Sequence, residues 1–186
     1  MLSDLTEDQK KEFLARVDNT FEVSNIKSIL AEATIKNTNT IITNALIRAK
    51  EETNSIISTL SELSEREKES FKERINEAKT TPEVLAIQTE AQKFSNFRGT
   101  VKSAIKAAGD LSEDEKNNFL AQVTSAIDPT AVKVVQDAAA KQNTINQTAR
   151  ELKEAKAATI TEVNGFSEIS EAEKNSFALE VNNASV

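Results

Sequence analysis

One frame recurs four times in the chain and limits what it can fold into. Leu5-Thr6-Glu7-Asp8-Gln9-Lys10 leads to Phe13, and Leu63-Ser64-Glu65-Arg66-Glu67-Lys68 leads to Phe71. Leu111-Ser112-Glu113-Asp114-Glu115-Lys116 leads to Phe119, and Ile169-Ser170-Glu171-Ala172-Glu173-Lys174 leads to Phe177. Successive frames lie 58, 48 and 58 residues apart, giving a long period of 106 residues. A shift of 106 places residues 3–80 on 109–186 with 27 identities in 78 positions. A fixed internal period of this kind marks a duplicated array, here with two unit types in alternation.

Each frame is a helix start with a physical cause. Thr6, Ser64, Ser112 and Ser170 stand at the N-cap, and Gln9, Glu67, Glu115 and Glu173 follow three residues on. In that capping box the hydroxyl and the returning side chain satisfy two backbone N–H groups that the helix leaves without partners. Such a cap is worth about 1 kcal/mol. Apolar residues then follow at helical spacing. Phe71, Ile75 and Ala78 in one copy, and Phe119, Val123 and Ala126 in another, predict one buried stripe per helix.

Two further starts carry proline. Thr81-Pro82-Glu83-Val84 and Asp128-Pro129-Thr130 each put a capping residue before a proline at the first helical position, where its missing N–H costs nothing. Gly109 and Gly165 precede capping boxes and suit a left-handed helix end. Gly99 reads as a kink or short break at a unit boundary. Together the signals predict seven helices, near 5–19, 22–60, 64–79, 82–108, 112–127, 129–164 and 170–184. A helix of roughly 39 residues runs about 58 Å, too long for one small bundle. The long helices are therefore shared, each closing one bundle and opening the next.

The fold class that follows is all-α: tandem three-helix bundles joined by long shared helices, drawn out as an elongated rod. The domains are 1–44, an incomplete bundle of second and third helices plus a connector; 45–94, a three-helix bundle; 97–143, another; and 144–186, an incomplete bundle of first and second helices. The incomplete ends suggest a piece of a longer array. Two readings stand for the polar junctions at 37–44 and 141–148. Asn and Thr are poor helix formers and suit a loop, but no Gly or Pro forces a break, which favours a continuous helix.

Composition removes most chemistry. The 186 residues contain no His, Cys, Trp or Tyr. That excludes Ser-His-Asp triads, cysteine nucleophiles, His or Cys metal sites and disulfides. The acidic clusters, such as Glu65, Glu67 and Glu69, alternate with Arg66, Lys68 and Lys72, as on a solvated helix face. The net charge of -7 disfavours a nucleic-acid partner. No segment has the length and apolarity of a spanning helix. The expectation is no enzyme, no cofactor, no metal, no nucleic acid and no membrane insertion.

Residues 46–91 resemble the GA module, the albumin-binding-type three-helix repeat of Gram-positive surface proteins. The resemblance rests on Leu46-Ile47-Arg48-Ala49-Lys50 and on Ile75-Asn76-Glu77-Ala78-Lys79-Thr80-Thr81-Pro82-Glu83-Val84. Leu152-Lys153-Glu154-Ala155-Lys156 repeats the opening motif. The alternation of two related bundles is similar to that of staphylococcal extracellular-matrix-binding proteins. Leu111 to Phe119 with Asp128-Pro129 also echo immunoglobulin-binding bundles. The resemblance implies a binding face on the second and third helices and the loop between them: Phe71, Ile75, Lys79, Thr80, Thr81, Glu83, Val84 and Ile87. The competing reading makes Phe71, Ile75 and Val84 core.

What the resemblance implies is a non-enzymatic repeat segment of a cell-surface adhesin or stalk in the cell wall of a Gram-positive bacterium. Its partners would be host matrix or plasma proteins and neighbouring repeats of the parent chain. The alternatives are a specific albumin or immunoglobulin module and an intracellular spectrin-like scaffold.

Overall fold

The computed structural model describes residues 2–184. Among them are seven helices and no strand: α1 (Glu7–Asp18), α2 (Val23–Thr59), α3 (Glu65–Glu77), α4 (Thr81–Ala107), α5 (Glu113–Ser125), α6 (Pro129–Gly165) and α7 (Glu171–Asn183). Every boundary lies within two residues of its sequence expectation. All four capping boxes close in both directions. In the Ser64 box the backbone N–H of Ser64 donates to the Glu67 carboxylate at 2.7 Å, and the N–H of Glu67 donates to the Ser64 hydroxyl at 3.3 Å. In each box a lysine pairs with the first-turn glutamate three residues before it: Lys10 with Glu7, Lys68 with Glu65, Lys116 with Glu113 and Lys174 with Glu171.

The chain divides into two compact units, residues 1–95 and 96–186. In the first, α1 packs on the start of α2, and the rest of α2 packs on α3. Its largest core holds Ile57, Leu63, Phe71, Ile75, Val84, Ala91 and Phe94, drawn from α2, the approach to α3, α3 itself and the first half of α4. Among the described residues of the second unit, every buried one falls between Arg98 and Ala139, on the second half of α4, the approach to α5, α5 itself and the beginning of α6. Burial of an Ile or Val side chain in such a core contributes about 1.5–3 kcal/mol.

The junctions at 37–44 and 141–148 are helical, inside α2 and α6. Their polar residues hold the loops ahead of the capping boxes. The Asn37 carboxamide oxygen accepts the N–H of Asp4 at 2.9 Å, and Asn143 accepts that of Asp110 at 3.0 Å, 106 residues later. In the second unit Asn146 adds bonds to the Asp110 carbonyl and the Glu115 carboxylate. Arg150 pairs with Asp110 at 2.6 Å.

Four local expectations need correction. Helix α4 passes through Gly99 without interruption. The stripe Val84, Ile87, Ala91, Phe94, Arg98, Val101, Ile105 keeps alternate spacings of three and four, so packing continues on both sides of the glycine. Pro82 is the second residue of α4, and Thr80 rather than Thr81 caps it, because Thr80 has the required three-residue spacing to Glu83. Gly109 and Gly165 are not left-handed, since no described glycine has positive φ. Gly165 ends α6 itself, and the extended Phe166 turns the chain. Finally, Phe119 is half-buried where Phe71 is buried. The Arg74 guanidinium lies over the Phe71 ring at 5.4 Å; Gln122 occupies that helical position after Phe119 and supplies no cation.

Candidate protein-binding site

The α3–α4 loop is built by two helix ends meeting. Helix α3 stops at Ala78, whose N–H still bonds the Arg74 carbonyl at 3.1 Å. Two residues later Thr80 starts α4, its hydroxyl accepting the Glu83 N–H at 3.3 Å. The Glu83 carboxylate reaches back to the Lys79 N–H at 2.7 Å. These backbone donors, the Thr80 hydroxyl and the Lys79 charge hold the Glu83 carboxyl below its usual range. Further along, Arg74 of α3 grips Glu90 of α4 with two bonds of 2.8 and 2.6 Å. The same bonds lower the Glu90 carboxyl and raise Arg74.

The residues singled out from sequence separate into two groups. Phe71, Ile75 and Val84 are buried in the core. Lys79, Thr80 and Glu83 are exposed, and Thr81 and Ile87 are half-buried. The surface open to a partner is therefore the polar loop, continued by Pro82, Leu85, Ala86 and Thr89 on the outer face of α4. Leu85 is half exposed there, the single large apolar residue of that strip. Charge gives little steering, with 8 basic and 10 acidic residues over 46–94.

Sequence reading missed the equivalent loops. By the 58- and 106-residue spacings, Lys79 corresponds to Phe21 and Ile127. Phe21 is 98% exposed and Ile127 80% exposed. The available signal was a large apolar residue standing off the helical stripe, between a helix end and the next N-cap. Arg98 was also missed. It occupies an apolar-stripe position of α4, is 1% exposed, and donates to the Ala126 carbonyl at the end of α5 at 2.5 Å. Its role is structural: a helix-end carbonyl without an intrahelical partner is satisfied by a buried guanidinium.

No group of acidic residues converges as a metal site among the described residues, and no described helix is long and apolar enough to cross a membrane.

Comparison with known proteins adds to this geometry. A crystal structure of EbhA (756-1003 domain) from Staphylococcus aureus shares the fold, with a TM-score of 0.56 at 17% identity. The match covers 98% of this chain and 86% of that one. No curated protein sequence matches. The family model of the GA module matches four times, at residues 1–39, 43–96, 99–145 and 149–186. With four tandem matches across nearly its whole length, the chain belongs to the GA module family.

Proposed function

We propose that the chain is a non-enzymatic repeat segment of a Gram-positive cell-surface protein, of the extracellular-matrix-binding, stalk-forming type. One observation carries this reading: four GA modules stand in tandem, and their helix ends are devoted to caps and to bonds between neighbouring helices. The domains of such a segment are the bundles at 45–94 and 97–143, flanked by the two-helix portions at 1–44 and 144–186. The likeness to the S. aureus structure supports the fold of this reading.

Adhesion in this reading comes from many weak contacts. The Lys79-Thr80-Thr81 loop offers no aromatic anchor, and strong interfaces depend on a few buried aromatic or Arg residues. Linked copies turn weak single contacts into useful avidity. Isothermal calorimetry of the intact chain with serum albumin is expected to give weak or undetectable binding. Immobilised chain is expected to retain matrix proteins from plasma only at high surface density. Submicromolar albumin binding, lost in Lys79→Ala or Thr81→Ala with helicity intact, would replace this reading by the second one.

That second reading is a specific albumin or immunoglobulin module. The exposure of Phe21 and Ile127 on the equivalent loops favours it, because each supplies the apolar anchor that the α3–α4 loop lacks.

A further inference from the structure

One set of bonds in the second unit crosses a module boundary. The third GA match ends at residue 145 and the fourth begins at 149, and α6 runs through both. Asp110, in the loop ahead of α5, belongs to the third module, and Arg150 belongs to the fourth. Arg150 Nε donates to the Asp110 carboxylate at 2.6 Å, and a second guanidinium nitrogen reaches Glu154 at 3.2 Å. Between the modules, Asn146 donates to the Asp110 carbonyl and to the Glu115 carboxylate, each at 2.9 Å. Gln142 in turn donates to the Asn146 oxygen at 2.9 Å. Gln142, Asn146, Arg150 and Glu154 are spaced by four and form one row along α6. The Asp110 side chain is 16% exposed, so its charge-assisted bond to Arg150 is screened less by salt than a surface pair.

The matching joint of the first unit keeps the loop contact and lacks the rest. Asn37 holds the Asp4 N–H at 2.9 Å, as Asn143 holds that of Asp110 at 3.0 Å, so the loop sits in the same place. Asn44 stands at the position of Arg150, Arg48 at Glu154, Thr40 at Asn146 and Gln9 at Glu115. Asn44 has no charge to meet Asp4, and the Thr40 hydroxyl bonds the Lys36 carbonyl of its own helix at 3.0 Å. These are differences of side-chain chemistry at matched positions. We infer that Arg150 is an inter-module latch, which ties the α4–α5 loop of the third module to the helix that opens the fourth. Asn146 and Arg150 meet that loop only while α6 stays helical across the boundary, where Asn and Thr are poor helix formers. Loop closure and helix continuity therefore stabilise each other in the second unit, and the first unit carries the unlatched form of the same joint. The inference goes beyond the proposed function and needs no ligand.

Amide hydrogen exchange on the full chain tests the latch. Arg150→Asn, which installs the residue of the first joint, is expected to speed exchange by about threefold or more, both in the loop at 108–112 and in α6 at 146–154. Exchange in the first unit should not change. Asp110→Asn is expected to have the same effect, and the double variant should exchange no faster than either single one, because both remove one interaction. The converse graft, Asn44→Arg together with Arg48→Glu, is expected to slow exchange at 40–48 relative to the unaltered chain. That graft adds an interaction, so a failure to fold cannot imitate its result. Exchange at 146–154 that ignores Arg150→Asn, additive effects of the two single variants, or a graft that leaves 40–48 no better protected would each overturn the inference.

Discussion

The α2–α3 hairpin and the α6–α7 hairpin are two versions of one sequence, and their difference separates what a hairpin makes from what a bundle makes. Both keep the same local devices. Lys50 donates to the Asn76 carbonyl at 2.6 Å, and Lys156 donates to that of Asn182 at 2.7 Å. Both have a closed Ser–Glu capping box. Their apolar stripes fare differently. Phe71 is 8% exposed and Phe177 46%; Ile57 and Ile75 are fully buried, while Val163 and Val181 are half-buried. Even Thr53 follows the pattern: it is buried with its hydroxyl on Gln88 of α4 at 3.0 Å, whereas Thr159 is exposed and bonds its own helix. Caps and loop contacts shape the hairpin, and the third helix makes the core.

The comparison breaks most visibly at the two phenylalanines. Phe71→Ala is expected to cost about 3–5 kcal/mol, because it empties a packed site. Phe177→Ala is expected to cost about 1 kcal/mol or less, as for a half-exposed side chain. Urea unfolding followed by circular dichroism measures both. Equal losses would mean that the α6–α7 stripe is as well packed as its copy. Next in size is Arg98→Ala, expected to destabilise the second unit by about 1–3 kcal/mol by leaving the buried Ala126 carbonyl without its donor. Amide exchange of the last turn of α5 reports the same loss locally.

The capping boxes should ignore the difference. Ser112→Ala and Ser170→Ala are each expected to cost about 1 kcal/mol, in a covered and an uncovered hairpin alike. A cap effect confined to α5 would show that caps depend on the core.

The smallest effect concerns acid. Glu90 is held below its ordinary value of 4.5 by Arg74. A carboxyl with a lowered folded pKa stabilises the fold above its unfolded value and loses that contribution as pH falls through its folded value. Stability should therefore fall below about pH 4.5 through this pair. Glu90→Gln should remove at most about 1 kcal/mol at neutral pH, as for other exposed ion pairs, and should flatten the acid limb of a thermal-denaturation series. The α6–α7 copy places Glu180 at the position of Arg74 and cannot form this pair.

The helices were legible because their signals are local. A serine three residues before a glutamate, or Asp128 before Pro129, fixes a helix start without reference to the rest of the chain. The continuity of α4 was less legible. Gly99 is a local argument for a break, and the continuous stripe from Val84 to Ile105 is a tertiary argument against it. The candidate binding face was only partly legible. Phe71 and Val84 look the same in sequence whether they face a partner or a core. Which loops expose an apolar residue became visible only after Phe21, Lys79 and Ile127 were set in one structural position. Arg98 was hidden because its partner is a backbone carbonyl 28 residues away, which no side-chain pattern announces.

The four capping frames also govern time. Forming the first turn is the slow and unfavourable step of making a helix, and this chain writes a favourable first turn at the head of α1, α3, α5 and α7. The contacts of α1 with α2, α2 with α3, α5 with α6 and α6 with α7 join helices adjacent in sequence. Helical chains dominated by such near contacts fold in about microseconds to milliseconds. A segment pulled open by force would re-form its hairpins on that timescale, with every repeat restarting from its own first turn.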